Sequence, residues 1–144
     1  MEKIFVDSNY FIALGNEKDE QHEKACAVAE GLAAKDPFLV LSNYVFSETT
    51  TVLSQRAGRT IAKEVGNGLL GNPRAEIIIA DEGLDHQAWK IFKEIQSKDV
   101  SFVDCSIIAA MHQSNTLRLL TFDLKDFGPL QERYEFQIYP VQAT

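Results

Sequence analysis

With 144 residues, 45% of them hydrophobic and 24% charged, the chain is the size of one domain and can bury about 70% of its unfolded surface without a metal or a disulfide. Its only cysteines, Cys26 and Cys105, give neither a disulfide framework nor a zinc spacing, as expected of a cytoplasmic protein. A net charge of −7 disfavours broad, non-specific attachment to nucleic acid, although carboxylates gathered around a cation would have part of that charge neutralised.

The chain opens on Ile4-Phe5-Val6, an apolar run that stops on Asp7. This reads as a central strand buried on both faces, and the early acid interrupts any signal-peptide pattern. No stretch approaches the ~20 apolar residues of a membrane span. Ser8 or Asn9 then caps a short helix through Leu14, ending near Gly15-Asn16, and Asp19 opens an Ala-rich helix to about Lys35, stopped by Asp36-Pro37.

Phe38 to Leu41 reads as a second buried strand. Ser42 or Asn43 caps a helix running to Gly58, and Arg59-Thr60 begins another that closes at Gly71-Asn72-Pro73. Ile77 to Ala80 is the expected third strand, with Asp81 capping a helix that carries Leu84, Ala88, Ile91, Phe92 and Ile95 at helical spacing. Ser101 precedes an apolar helix containing Asp104. A fourth strand, Leu117 to Phe122, ends on Asp123, and Phe136 to Tyr139 is a fifth at the edge. Strands alternating with helices predict a single α/β domain over residues 1–144, with helices on both faces of a parallel sheet of four to five strands.

Four acids stand out. Asp7 and Asp123 each terminate an apolar strand. Helical arithmetic places Glu48 within a quarter-turn of Tyr44, Val45 and Val52, and Asp104 between Ile107 and Ile108. Each has a plain structural explanation alone: Asp7 as a helix cap, Asp104 as the partner of Ser101 in a capping box, Asp123 as the start of a turn. Together, four inward anions would repel one another and lose hydration unless a cation joined them. Oxygen-only ligands suit a hard divalent cation, Mg²⁺ or Mn²⁺. Asp126 follows closely enough to assist from the rim, whereas Asp81 reads as a cap. His22, His86 and His112 lie in no motif and read as surface residues, and no nucleophile triad or nucleotide-binding loop is present.

Val6-Asp7-Ser8-Asn9, Leu41 to Tyr44 running on to Ser47-Glu48, Ser101 to Ala109, and Leu120 to Phe127 resemble the four acidic motifs of PIN domains, in particular those of VapC-type toxins. The resemblance implies a three-layer α/β/α fold with the first strand central. It further implies a metal-dependent endoribonuclease, the toxin of a toxin-antitoxin pair, acting on RNA. Asp7, Glu48, Asp104 and Asp123 match the catalytic, metal-holding acids, Asn9 and Thr121 match polar positions that orient them, and Asp126 matches a less uniform acid. A small antitoxin that offers Arg or Lys to the acids, and a homodimer formed through the helices from Tyr44 to Leu70, are the implied protein partners. Arg56, Arg59, Lys63 and Lys125 are candidates to track RNA phosphates. The competing expectation is a PIN-like module that binds RNA or protein without turnover.

Overall fold

The computed structural model describes residues 2–140. Five strands, β1 (Lys3–Val6), β2 (Phe38–Ser42), β3 (Ala75–Ile78), β4 (Arg118–Leu120) and β5 (Gln137–Tyr139), form a sheet in the order β3-β2-β1-β4-β5. All neighbours are parallel, and β1 is central, as its apolar sequence predicts. Ile4, Phe5 and Val6 are fully buried. The chain steps outward from β1 to β2 and β3, then returns across the sheet to β4. The strand order therefore reverses between β1 and β4, and in open α/β sheets ligands bind at the carboxyl ends of strands beside such a reversal.

Among the described residues seven α-helices connect the strands: α1 (Ser8–Gly15), α2 (His22–Lys35), α3 (Asn43–Ala57), α4 (Arg59–Gly71), α5 (Glu82–Glu94), α6 (Phe102–Gln113) and the single turn α7 (Leu124–Phe127). α1 packs against α2, α3 and α4, while α5 and α6 pack together as a second group. A three-layer α/β/α arrangement results, with Phe5, Ile107, Ile108, Leu119 and Leu120 among its fully buried side chains.

Local chemistry sets the helix starts. Ser42 caps α3 through the Val45 N–H, and Asp81 caps α5 through the Leu84 N–H at 2.8 Å. Gly58, between α3 and α4, has φ 99° and ψ 158°, a region open essentially to glycine alone. Gly58→Ala is therefore expected to cost ~1–3 kcal/mol in urea unfolding, with unchanged activity per folded molecule, since the junction lies at the far end of α3 from the acids.

Several expected boundaries move. α2 begins at His22, not Asp19, because the Asp19 carboxylate accepts the Gln21 N–H and holds a turn ahead of the helix. β3 runs Ala75–Ile78 instead of Ile77–Ala80: Ile78 pairs opposite Ser42, the last residue of β2, and the Ala80 N–H leaves the ladder for the Asn43 side chain. β4 is shorter than Leu117 to Phe122 because Thr121 and Phe122 turn to bonds with Asp7 and Asn9. Glu48, expected on the inward stripe of α3, is exposed at its margin, the buried stripe being Val45, Thr49 and Leu53.

Candidate metal centre

Asp7 is the first residue beyond β1. Its backbone N–H donates to the Leu120 carbonyl at 2.9 Å, tying the ends of β1 and β4 together. One carboxylate oxygen accepts the Ser8 N–H at 2.8 Å; the other accepts the Thr121 hydroxyl at 2.9 Å and the Asn9 amide at 3.3 Å. Asn9 also donates to Thr121 Oγ1 and accepts the Phe122 N–H through Oδ1, both at 3.1 Å. Thr121 Oγ1 in turn accepts the Asp123 N–H. Two polar residues thus bind the strand ends into one frame and fix both Asp7 and Asp123.

Asp7 is 6% exposed, and burial pushes its carboxyl up to about 7, with Asp104 and Glu48 adding to the rise and the bonds from Thr121 and Ser8 opposing it. The contributions of Asp104 and Glu48 place both charges within electrostatic reach of Asp7. On α6, Asp104 accepts the Ser101 N–H while Ser101 Oγ accepts the Asp104 N–H, each at 3.0 Å. The capping box is real, and it coexists with the site. Burial, followed at a distance by Asp123 and Asp126, raises the Asp104 carboxyl. Asp123 caps α7 by accepting the Asp126 N–H at 3.1 Å.

Asp104, Asp123 and Asp126 each place a carboxylate oxygen within 4.8 Å of the other two. Asp126, expected at the rim, is a full member of this cluster, its carboxyl raised by burial and by Asp123. An all-oxygen set of crowded carboxylates, with those of Asp104 and Asp126 raised above their ordinary values, is the donor chemistry of a hard divalent cation, so the residues present fit such an ion. Asp7 and Glu48 border this trio without belonging to it.

Glu48 is held differently. Its carboxylate accepts the hydroxyl of Ser8, a residue 5% exposed that sequence reasoning treated only as a helix cap. That hydroxyl anchors a long, exposed side chain to the first turn after β1. A hydroxyl beside Asp7 was visible in the sequence, but nothing there linked it to α3.

The basic candidates lie elsewhere or are engaged. Arg59 and Lys63 line a groove of about 500 Å³ between α3 and α4, and Arg56 lines a separate depression with Gly15 to Lys18. Lys125 pairs with Asp99 at 3.8 Å. Of the histidines, His22 bonds the Ala13 carbonyl, His112 the Tyr134 carbonyl and His86 faces Glu82, so none approaches the acids in these contacts.

Residues 4–128 match the sequence family of PIN domains. The chain belongs to the PIN domain family. The 23S rRNA-specific endonuclease VapC20 of Mycobacterium tuberculosis, found in strains CDC 1551 and H37Rv, is 34% identical over 121 residues, covering 83% of this chain and 88% of the relative. The crystal structure of that organism's VapC20, described as a sarcin-ricin loop cleaving toxin, superposes with a TM-score of 0.76 at 30% identity, covering 88% of this chain and 93% of that one. In this PIN domain Asp7 and Asp123 lie just past the ends of β1 and β4, beside the reversal of strand order, with Asp104 and Asp126 clustered at Asp123 and Glu48 tied to Ser8. Among the described residues no helix is long and apolar enough to cross a membrane.

Proposed function

We propose that this PIN domain is a metal-dependent endoribonuclease using Mg²⁺ or Mn²⁺, the toxin of a toxin-antitoxin pair that acts in the cytoplasm. The observation carrying this reading is the cluster of Asp104, Asp123 and Asp126, within 4.8 Å of one another, beside the buried Asp7. Asp104, Asp123 and Asp126 would hold one or two ions, with Asp7 and Glu48 completing the negative surround. A bound divalent ion supplies charge neutralisation at the scissile phosphate and activation of water for in-line attack.

The chain's own residues supply geometry and electrostatics. Asn9 and Thr121 keep the Asp7 carboxylate aimed along the end of β1, Ser8 holds Glu48, and the Ser101 box fixes Asp104. These bonds hold the acids in place before an ion and a phosphate arrive. The relative's substrate makes ribosomal RNA the first class to test. A basic segment of an antitoxin would neutralise the same acids by charge-assisted bonds. The surface available to an antitoxin or a second copy includes Leu70, inside the stretch expected to dimerise, and also Ile79, Trp89 and Phe92 outside it, all exposed.

The test is cleavage of deproteinised ribosomal RNA by purified protein. Cleavage that appears with Mg²⁺ or Mn²⁺ and stops with EDTA supports the reading. Binding to the same RNA with no product at any ion concentration would favour the non-catalytic module.

A further inference from the structure

An acidic nuclease has to bring a polyanion to a cluster of carboxylates, and bound ions neutralise only the charge at the scissile phosphate itself. The neighbouring phosphates need a cation at the lip of the site. Lys24, on α2, meets that need. Its Nζ lies 5.0 Å from the centroid of the Phe122 ring, and Phe122 stands between Thr121 and Asp123, the two residues that carry the β4 side of the centre. The Phe122 N–H is held by Asn9 Oδ1 at 3.1 Å, and its ring packs edge-on against Tyr10 at 6.3 Å. The seat under the ammonium is therefore built from the frame that positions Asp7 and Asp123.

Other cations are less suited. Lys125 is engaged with Asp99, and Arg56 lies eight residues beyond Glu48 on α3, about 12 Å along the axis at 1.5 Å per residue. Lys24 is exposed and makes no ion pair among the described residues. An aromatic face orients an ammonium without neutralising it, leaving its donors free for phosphate oxygens.

We propose that Lys24, seated on Phe122, contacts a substrate phosphate adjacent to the scissile one and sets RNA affinity without taking part in the chemistry. This rests on the endoribonuclease reading for its substrate, but its test does not depend on cleavage. The probe is a fluorescein-labelled RNA hairpin carrying a sarcin-ricin-type loop. Its Kd is measured in Ca²⁺ over a range of salt, and kcat and KM are measured in Mn²⁺, for the parent, Lys24→Ala, Lys24→Arg and the control Lys90→Ala.

The expected result for Lys24→Ala is a Kd and KM raised about three- to tenfold with kcat within about twofold, and a salt slope shallower by about 0.7 to 0.9. Lys24→Arg restores both constants. A Lys24→Ala protein matching Lys90→Ala in Kd and salt slope overturns the proposal. So does a loss confined to kcat, which would mean that Lys24 acts by shifting Asp123, and so does a parent that binds no RNA. If the parent binds in a Lys24-dependent way yet never cleaves, this proposal stands and the nuclease reading falls.

Discussion

Asp104→Asn is expected to lower RNA cleavage by on the order of 10²- to 10³-fold, the scale of losing one preorganised electrostatic group in an active site, while the protein stays folded. Two tasks meet on this residue and the substitution separates them. The Asn amide oxygen still accepts the Ser101 N–H, so the cap on α6 survives, whereas the charge facing Asp123 and Asp126 is gone. Asp126→Asn is expected to fall by a similar factor, since its carboxylate stands inside the same cluster. Single-turnover cleavage in Mn²⁺, with circular dichroism as a fold control, measures both. Asp126→Asn cleaving at the parent rate would return that residue to the rim.

The second large effect is on stability. The Asp7 carboxyl sits near 7 when folded and at 3.8 as a free side chain. Between those values the folded chain keeps a proton that the unfolded chain has released, so stability without metal falls as pH rises through that window. The full swing corresponds to on the order of 4 kcal/mol. Urea unfolding in EDTA at pH 5, 6, 7 and 8 is expected to show the midpoint dropping with pH, and Asp7→Asn to flatten the slope. Divalent ions act in the opposite sense: protons compete with them for the carboxylates, so the stabilisation by Mn²⁺ grows as pH rises. A metal-free midpoint that rises from pH 5 to 8 would contradict the assignment of a buried, proton-holding Asp7.

The sheet was legible because each apolar run is bounded by a residue with a second purpose. Val6 leads into Asp7, Leu41 into a capping Ser42, and the fourth run, read through Phe122, into Asp123. The third run misleads by two residues: Ile77 to Ala80, stopped by Asp81, is more apolar than Ala75 to Ile78, which includes Glu76, and only pairing with β2 places the strand on the earlier residues. Helical arithmetic placed Glu48 close to the buried stripe of α3, but its anchoring by Ser8 joins residues forty apart, which no local pattern encodes. Asp126 looked peripheral because its carboxylate reaches Asp104 only if the chain after Asp123 closes into the single turn α7. Lys24 carried no signal at all, its seat being an aromatic ring on the far side of the sequence.

The most direct test of the centre is anomalous diffraction from crystals of the parent grown with Mn²⁺ near pH 8. One or two peaks are expected in contact with the carboxylates of Asp104, Asp123 and Asp126, on the side facing Asp7. A protein that cleaves RNA under those ions yet shows no peak at the acids, or shows its ion at another place in the fold, would contradict the account.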